Sequence, residues 1–294
     1  MKARRWGVAR KLYPINQSPL FALKGLGQLE QALQSPLQVA LEASKADTYR
    51  VFPNDNGREI QAPRGALDRI HRRIAALLAR IETPSYLYSK RGRSHLDNAG
   101  AHRHQPELLK TDIKEFYPGT THAMVTRMFQ RHFHCASDVS RMLADVCCFN
   151  GFLPTGSSLS GFVAFWCAKD MFDELHQLAA SNGLVMTVFA DDITISGSGA
   201  SSKLLWRARQ IIHKHGRTTK RKKSRAYAAS QAKPVTGAVL RDGKMLLPNS
   251  QHLKIRTTRQ ELAACDDLVV FEGLQNRLAG QLTNAATIEK HDRR

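Results

Sequence analysis

The sequence is short of three things. It has no long apolar run. The longest, such as Phe162–Ala168, fall far below the roughly 20 residues that a membrane-spanning helix needs. The basic opening stretch MKARRWGVARKLYP also lacks the apolar core of a secretory signal. The expectation is a soluble cytoplasmic protein with no membrane partner. Cysteine is scarce and unpaired. The five residues (Cys135, Cys147, Cys148, Cys167, Cys265) are odd in number and form no C-x-x-C, which argues against a disulfide scaffold. The segment His132–Cys135 does not repeat the spacing of zinc ligand pairs. Acids are the third shortage. Asp plus Glu total 25 against 44 Lys plus Arg, a net charge of +19. So large an excess points to a polyanion, and nucleic acid is the usual one.

What remains is an ordinary globular composition, 42% hydrophobic in 294 residues, enough for one large or two small cores. LFALKGLGQLEQALQSPLQVALEAS, from Leu20 to Ser44, carries apolar residues at helical intervals, so the first 50 residues read as helical. TYRVFPNDNGREIQAP reads as a hairpin turning at Asn54–Gly57. The spacing predicts an amphipathic helix over Gly65–Ile81 and a strand over LLKTDIKEFYPG, ending at Pro118. Helical sequence covers Thr121–Cys148, and Gly156–Ala179 holds another helix. A hairpin follows over Leu184–Ser196, then a helix over Leu204–His213. Pro234–Leu247 reads as a further hairpin with its turn at Asp242–Gly243, and the rest is helical and polar. The prominence of hairpins makes the fold class α+β.

Two features carry chemistry. The hairpin LVMTVFADDITISGSG places adjacent carboxylates, Asp191 and Asp192, at its bend. Upstream, Asp112 sits where an apolar strand meets the aromatic pair Phe116 and Tyr117. Crowding three carboxylates is unfavourable unless cations compensate. Three carboxylates at neighbouring strand ends would suit Mg²⁺, which takes oxygen ligands. Two such ions, roughly 3.5–4 Å apart, clamp the oxygens of an in-line phosphoryl displacement. Between these features lies FLPTGSSLSGFVAFW, whose small residues allow close backbone approach; it is equally an ordinary loop–helix junction. Downstream, KHGRTTKRKKSR (Lys214–Arg225) carries seven cations and no acid, which suits phosphate contact, a solvated face or a targeting signal.

In order along the chain, Asp112 with its aromatics, the PTGSS loop, FADD and the basic segment resemble the palm motifs of reverse transcriptases. The family's third motif is usually YADD and its loop PQG; here Phe189 and Thr155 stand at those places. Asn98–His102 matches an N-A-x-x-H pattern, and Val235-Thr236-Gly237 a VTG triplet, both carried by bacterial retron reverse transcriptases. GREIQAP and the helix after it look like their fingers. The resemblance covers roughly residues 48–245.

That resemblance implies a right-hand polymerase fold: N-terminal helices and fingers over 1–105, an antiparallel-sheet palm over 106–247 with finger helices at about 120–150, and a short helical thumb over 248–294. Asp112, Asp191 and Asp192 would be the catalytic triad holding two Mg²⁺ ions, with the Ile113 carbonyl as a further ligand. Lys223 would protonate the leaving pyrophosphate, with Lys222 as its rival. Arg58, Tyr117, Thr155, Gly156 and Phe189 would contact the nucleotide. Tyr117 is either a steric gate against ribonucleotides or a core aromatic, and Arg58 either a triphosphate contact or a surface arginine. Loss of the tyrosine oxygen at Phe189 predicts altered rate or fidelity with activity retained. Val235, Thr236 and Gly237, with Lys254, Arg256, Arg259 and Arg277, would contact RNA. His102 reads better as a structural residue than as a catalytic one.

The implied activity is copying of part of a cognate structured non-coding RNA from one of its own 2′-hydroxyls, using dNTPs. The product is branched RNA–DNA, and the context is phage defence with an effector or toxin protein. The alternatives are another bacterial reverse transcriptase, defence-associated or group II intron-like, and a catalytically silent RNA-binding protein of the same fold.

Overall fold

The computed structural model describes residues 11–36, 38, 48–55 and 57–293. The chain divides into two compact units, Met1–Pro84 with Lys114–Phe172, and Ser85–Ile113 with Asp173–Arg294. Among the described residues no helix is long and apolar enough to cross a membrane.

In the first unit, β1 (Tyr49–Pro53) pairs antiparallel with β2 (Glu59–Pro63). The connection closes where Asn54 N donates to Arg58 O and Asn54 Oδ1 accepts from Arg58 N. The helix after the hairpin, Gly65–Leu78, buries Leu67, Ile70, Ile74, Leu77 and Leu78 on one face. It stops three residues short of the expected Ile81, which instead bridges to Tyr13. The amphipathic helices His122–Arg131 and Ser137–Cys147 pack together, the former capped by Thr121 Oγ accepting from Met124 N. The expected single helix in Gly156–Ala179 is two, Ser160–Cys167 and Lys169–Ala180, broken at Ala168. Of the expected N-terminal helix, Leu26–Leu33 forms. Leu20–Gly25 does not, because Ala22 takes a left-handed φ of 54° to reach the Phe133 carbonyl. Residues 37 and 39–47 lie outside the described residues.

His71 is fully buried in this unit. Its Nε2 donates to Val146 O at 2.8 Å, and its Nδ1 lies 2.6 Å from Ser157 Oγ. Burial lowers its pKa to about 4, so the ring is neutral and Nδ1 is the acceptor.

The second unit is built on a four-stranded antiparallel sheet in the order β4 (Val185–Phe189), β5 (Asp192–Ser196), β3 (Leu108–Asp112), β6 (Arg225–Tyr227). Period-two alternation sorts its side chains. Ile193, Ile195, Leu109, Met186 and Val188 share the apolar face. Asp112, Lys110, Asp192, Thr194, Ser196 and Thr187 share the other, so this sheet has a polar interior side. β3 ends at Asp112, not Pro118. The β4–β5 turn is Ala190–Asp191, so no strand remains beyond Asp192 to pair with; the chain then coils through Glu115, at φ 51°.

The expected hairpin over Pro234–Leu247 is a three-stranded sheet, β7 (Lys233–Val235), β8 (Ala238–Arg241) and β9 (Lys244–Leu246). Both its connections are two-residue turns. Thr236 and Gly237 have φ of 37° and 88°, and Asp242 and Gly243 have φ of 50° and 70°, as such tight hairpins demand. The sheet shares a core with Leu96, Ala99, Leu108 and Ile288. Two exposed helices, Asn249–Ala263 and Leu268–Asp292, complete the unit.

The candidate active site and its relatives

The acidic site assembles at the end of the four-stranded sheet. Asp112 and Asp192 are register partners on adjacent strands, and Phe189 pairs with Asp192 from the other side. Asp191 occupies the β4–β5 turn. Its carbonyl accepts from Ile113 N at 3.0 Å, which ties the turn to the end of β3. Ala190 at φ 57° makes the bend, its N–H capped by Ser89 Oγ.

Lysines stand between the carboxylates. Lys220 Nζ is ion-paired with Asp112 Oδ1 and lies 3.3 Å from Asp191 Oδ2, so one ammonium bridges two of the three acids. Lys223 Nζ donates to Asp112 Oδ2 at 2.6 Å. Of the two lysines weighed from the sequence, it is Lys223 that reaches an acid; Lys222 is exposed. Lys110 Nζ donates to Asp192 Oδ2 at 3.2 Å and to the Pro234 carbonyl at 3.3 Å. The basic segment is placed by its backbone: Lys220 N donates to Asp112 O, Thr219 bridges to Ile113, and Ser224 Oγ meets Thr111 Oγ1 at 2.7 Å.

These pairings set the electrostatics. Asp112 is only 2% exposed, and burial opposes its charge. Hydrogen bonds from Lys220 and Lys223 outweigh that and hold its carboxyl below the usual range. The bond to Asp112 in turn raises Lys223. Asp192 goes the other way, because burial dominates over Lys110 and pushes its pKa up.

Among the described residues no three His, Cys, Asp or Glu groups are gathered so as to hold an ion by themselves. The donor chemistry nonetheless suits Mg²⁺, since all three side chains offer carboxylate oxygens. Asp192 Oδ1 is buried with no hydrogen-bond partner, and Lys220 shows that a cation is accommodated between Asp112 and Asp191.

The other expected residues divide between the units. Arg58, Tyr117, Thr155 and Gly156 belong to the first. Arg58 is exposed on the β1–β2 connection. Tyr117 is half-buried, its ring 5.6 Å from that of Phe116. Thr155 Oγ1 donates to Glu59 O at 3.0 Å, and Gly156 N to Gln61 O at 3.1 Å. A Cβ on Gly156 would stand 2.8 Å from that carbonyl, so only glycine fits the close approach to β2.

In the second unit the two short motifs meet. Asn98 Nδ2 donates to Thr236 Oγ1 at 3.3 Å, and Thr236 Oγ1 donates to His95 O at 2.6 Å. Val235 is fully buried in the shared core, so its side chain packs and offers no surface to RNA; Gly237 is exposed. His102 is buried between Ser196 Oγ at 2.6 Å and Thr187 Oγ1 at 2.7 Å, and burial lowers its pKa to about 3. It is a neutral prop under the polar face of the sheet. Lys254, Arg256 and Arg259 are exposed, and Arg277 pairs with Glu261. Sequence reasoning missed Lys110 and Lys220. Alternation back from Asp112 puts Lys110 on the carboxylate face, a signal that was there to read; nothing local distinguishes Lys220 from its basic neighbours.

No family model matches the chain. Curated bacterial proteins do, among them three retron reverse transcriptases. The retron Se72 reverse transcriptase of Salmonella heidelberg is 27% identical over 174 residues, 56% of this chain and 46% of that protein. The retron Ec86 reverse transcriptase of Escherichia coli is 27% identical over 178 residues, 59% of this chain and 55% of that protein. The retron Ec48 reverse transcriptase of Escherichia coli is 24% identical over 209 residues, 66% and 51%. The chain spans about half the length of the curated relatives it matches. With three aspartates drawn together at the end of an antiparallel sheet, and with these relatives, the chain resembles the bacterial retron reverse transcriptases.

Proposed function

We propose that the chain is a Mg²⁺-dependent, RNA-templated DNA polymerase of the retron type. The observation that carries this reading is the convergence of Asp112 with Asp191 and Asp192, a neighbouring pair distant from it in sequence, at one strand end in a chain similar to retron reverse transcriptases. Asp112, Asp191 and Asp192, with the Ile113 carbonyl, would hold two Mg²⁺ ions. When bound, these ions supply charge neutralisation for phosphoryl transfer. Lys220 bridges Asp112 and Asp191, and it would have to release them for the two carboxylates to hold an ion. Lys223 is held at the same site as a proton donor for the leaving pyrophosphate. Phe189, at the strand end beside Asp192, would stack near the primer terminus.

The second unit would then contain the palm sheet and the thumb helices, and the first unit the fingers. Arg58 in the fingers, with Tyr117, Thr155 and Gly156 in the part of the palm that falls in the first unit, would contact the nucleotide. The expected partners are dNTPs, a structured non-coding RNA gripped by Gly237, Lys254 and Arg256, its DNA product, and an effector protein in phage defence. The setting would be the cytoplasm.

The experiment is primer extension with Mg²⁺, followed by sequencing of the nucleic acid that co-purifies with the protein. Expected are dNTP incorporation and a short DNA joined to RNA through a 2′–5′ linkage. No incorporation on any RNA template would end the enzyme reading. Incorporation without the branched product would favour another class of bacterial reverse transcriptase.

A further inference from the structure

A cavity of about 250 Å³ opens in the second unit, on the three-stranded sheet. Its wall includes Arg103, His104, Ala229, Lys233, Arg241 and Asp242, three cations and one acid. None of these residues belongs to the acidic site.

Lys233 is the anomaly. β7 alternates buried, exposed, buried, so Lys233 points inward beside Val235 and opposite Leu240, where an apolar residue is the rule. It is only 5% exposed. Its ammonium donates to the Ala229 carbonyl at 3.1 Å, and no carboxylate pairs with it among the described residues. A buried ammonium held by one carbonyl is unfavourable unless an anion compensates.

The surroundings are built, not incidental. Arg103 Nε donates to Gly243 O at 2.5 Å and its guanidinium pairs with Asp292, which fixes the Asp242–Gly243 turn over the cavity. Arg241 stands at the rim, 60% exposed, with Asp242 3.5 Å from its Nε. The volume is below the roughly 300–1,000 Å³ of sites for drug-sized ligands, so the occupant is small.

We propose that this cavity is a phosphate subsite, and that it takes one backbone phosphate of an RNA strand, with Lys233 as the buried contact and Arg241 as the entry contact. The choice of RNA as the source of the phosphate rests on the function proposed above.

The test measures binding of a labelled RNA hairpin by fluorescence anisotropy between roughly 50 and 300 mM salt. The proteins are wild type, Lys233→Met, Arg241→Gln and, as a remote control, Lys203→Met. Lys233→Met and Arg241→Gln are each expected to weaken binding about five- to ten-fold and to flatten the salt slope by about one. Lys203→Met should change neither. Arg241 is exposed, so its replacement keeps the test alive should Lys233→Met fail to fold.

Unchanged affinity and slope in both cavity variants would overturn the proposal. So would unchanged RNA binding together with thermal stabilisation by inorganic phosphate in wild type but not in Lys233→Met, which would assign the cavity to a free anion. Primer extension by the same proteins separates this proposal from the enzyme reading. Wild type that incorporates no dNTP while the variants lose RNA affinity would leave the subsite standing and remove the polymerase. Full extension by variants with unchanged binding would do the reverse.

Discussion

The two sheets of the second unit each turn a lysine inward, half-buried Lys110 and buried Lys233, and they treat it differently. On the four-stranded sheet, Lys110 faces Asp192, and Lys220 and Lys223 share Asp112 and Asp191. Positive and negative charge are matched within the fold. On the three-stranded sheet, the polar partner of the Lys233 ammonium among the described residues is the Ala229 carbonyl alone. The first arrangement is closed until something displaces a lysine; the second is open to an incoming anion. The same residue type, at the same kind of inward strand position, therefore reports opposite conditions.

The largest effect expected concerns the closed lattice. Asp112→Asn removes the acid that Lys220 and Lys223 both hold, and primer extension should fall by at least about 100-fold, beyond the loss typical of residues that merely support metal ligands. Retained activity would make the lattice a structural device. Next is the same substitution applied to both sheets. Lys110→Met strips Asp192 of its partner and is expected to destabilise by about 3 kcal/mol. Lys233→Met, which replaces an uncompensated ammonium by an apolar chain, should leave the denaturation midpoint unchanged or raise it. Equal losses at both positions would erase the contrast.

A third prediction sets His102, beneath the four-stranded sheet, beside His71 in the first unit. Both are lowered from an ordinary value of 6.5, to about 3 and about 4 respectively, so both are neutral when folded. The unfolded chain takes up these protons first. The stabilisation is complete above pH 6.5 and is lost as pH falls toward the folded values, reaching about 2 kcal/mol per histidine at pH 5. Urea midpoints at pH 7.5 and 5 should show the drop, and His102→Gln should shrink it. The smallest effect is at the tight turn of the three-stranded sheet. Thr236→Val removes its hydrogen bonds with His95 and Asn98 and should lower stability by about 1 kcal/mol, read from the same midpoints.

Much of the acidic site was legible because it follows period-two rules: an apolar strand, a bend and paired acids announce a hairpin, and β4 and β5 form where alternation puts them. The Asp242–Gly243 turn was equally readable, since few residues accept two successive positive φ values. Strand ends were not. Nothing in DIKEFYPG says that β3 loses its partner at Asp112, because that is decided by a turn at Asp191 on another strand. The role of His102 was legible only as a tendency, since its partners Thr187 and Ser196 are separated from it in sequence and carry no local mark. Val235 was read as an RNA contact from its motif, whereas its burial follows from a β7 alternation too short to recognise.

The strand bearing Asp112 is made well before the strands that flank it, because Lys114–Phe172 intervene and belong to the other unit. Domains emerging from the ribosome fold largely as units. The first unit has all its residues once Phe172 has been translated, while β3 must wait for β5 and then for β6, which ends at Tyr227. During synthesis, therefore, the three aspartates come together late, and a nascent chain halted short of β6 holds one finished unit and an open sheet edge.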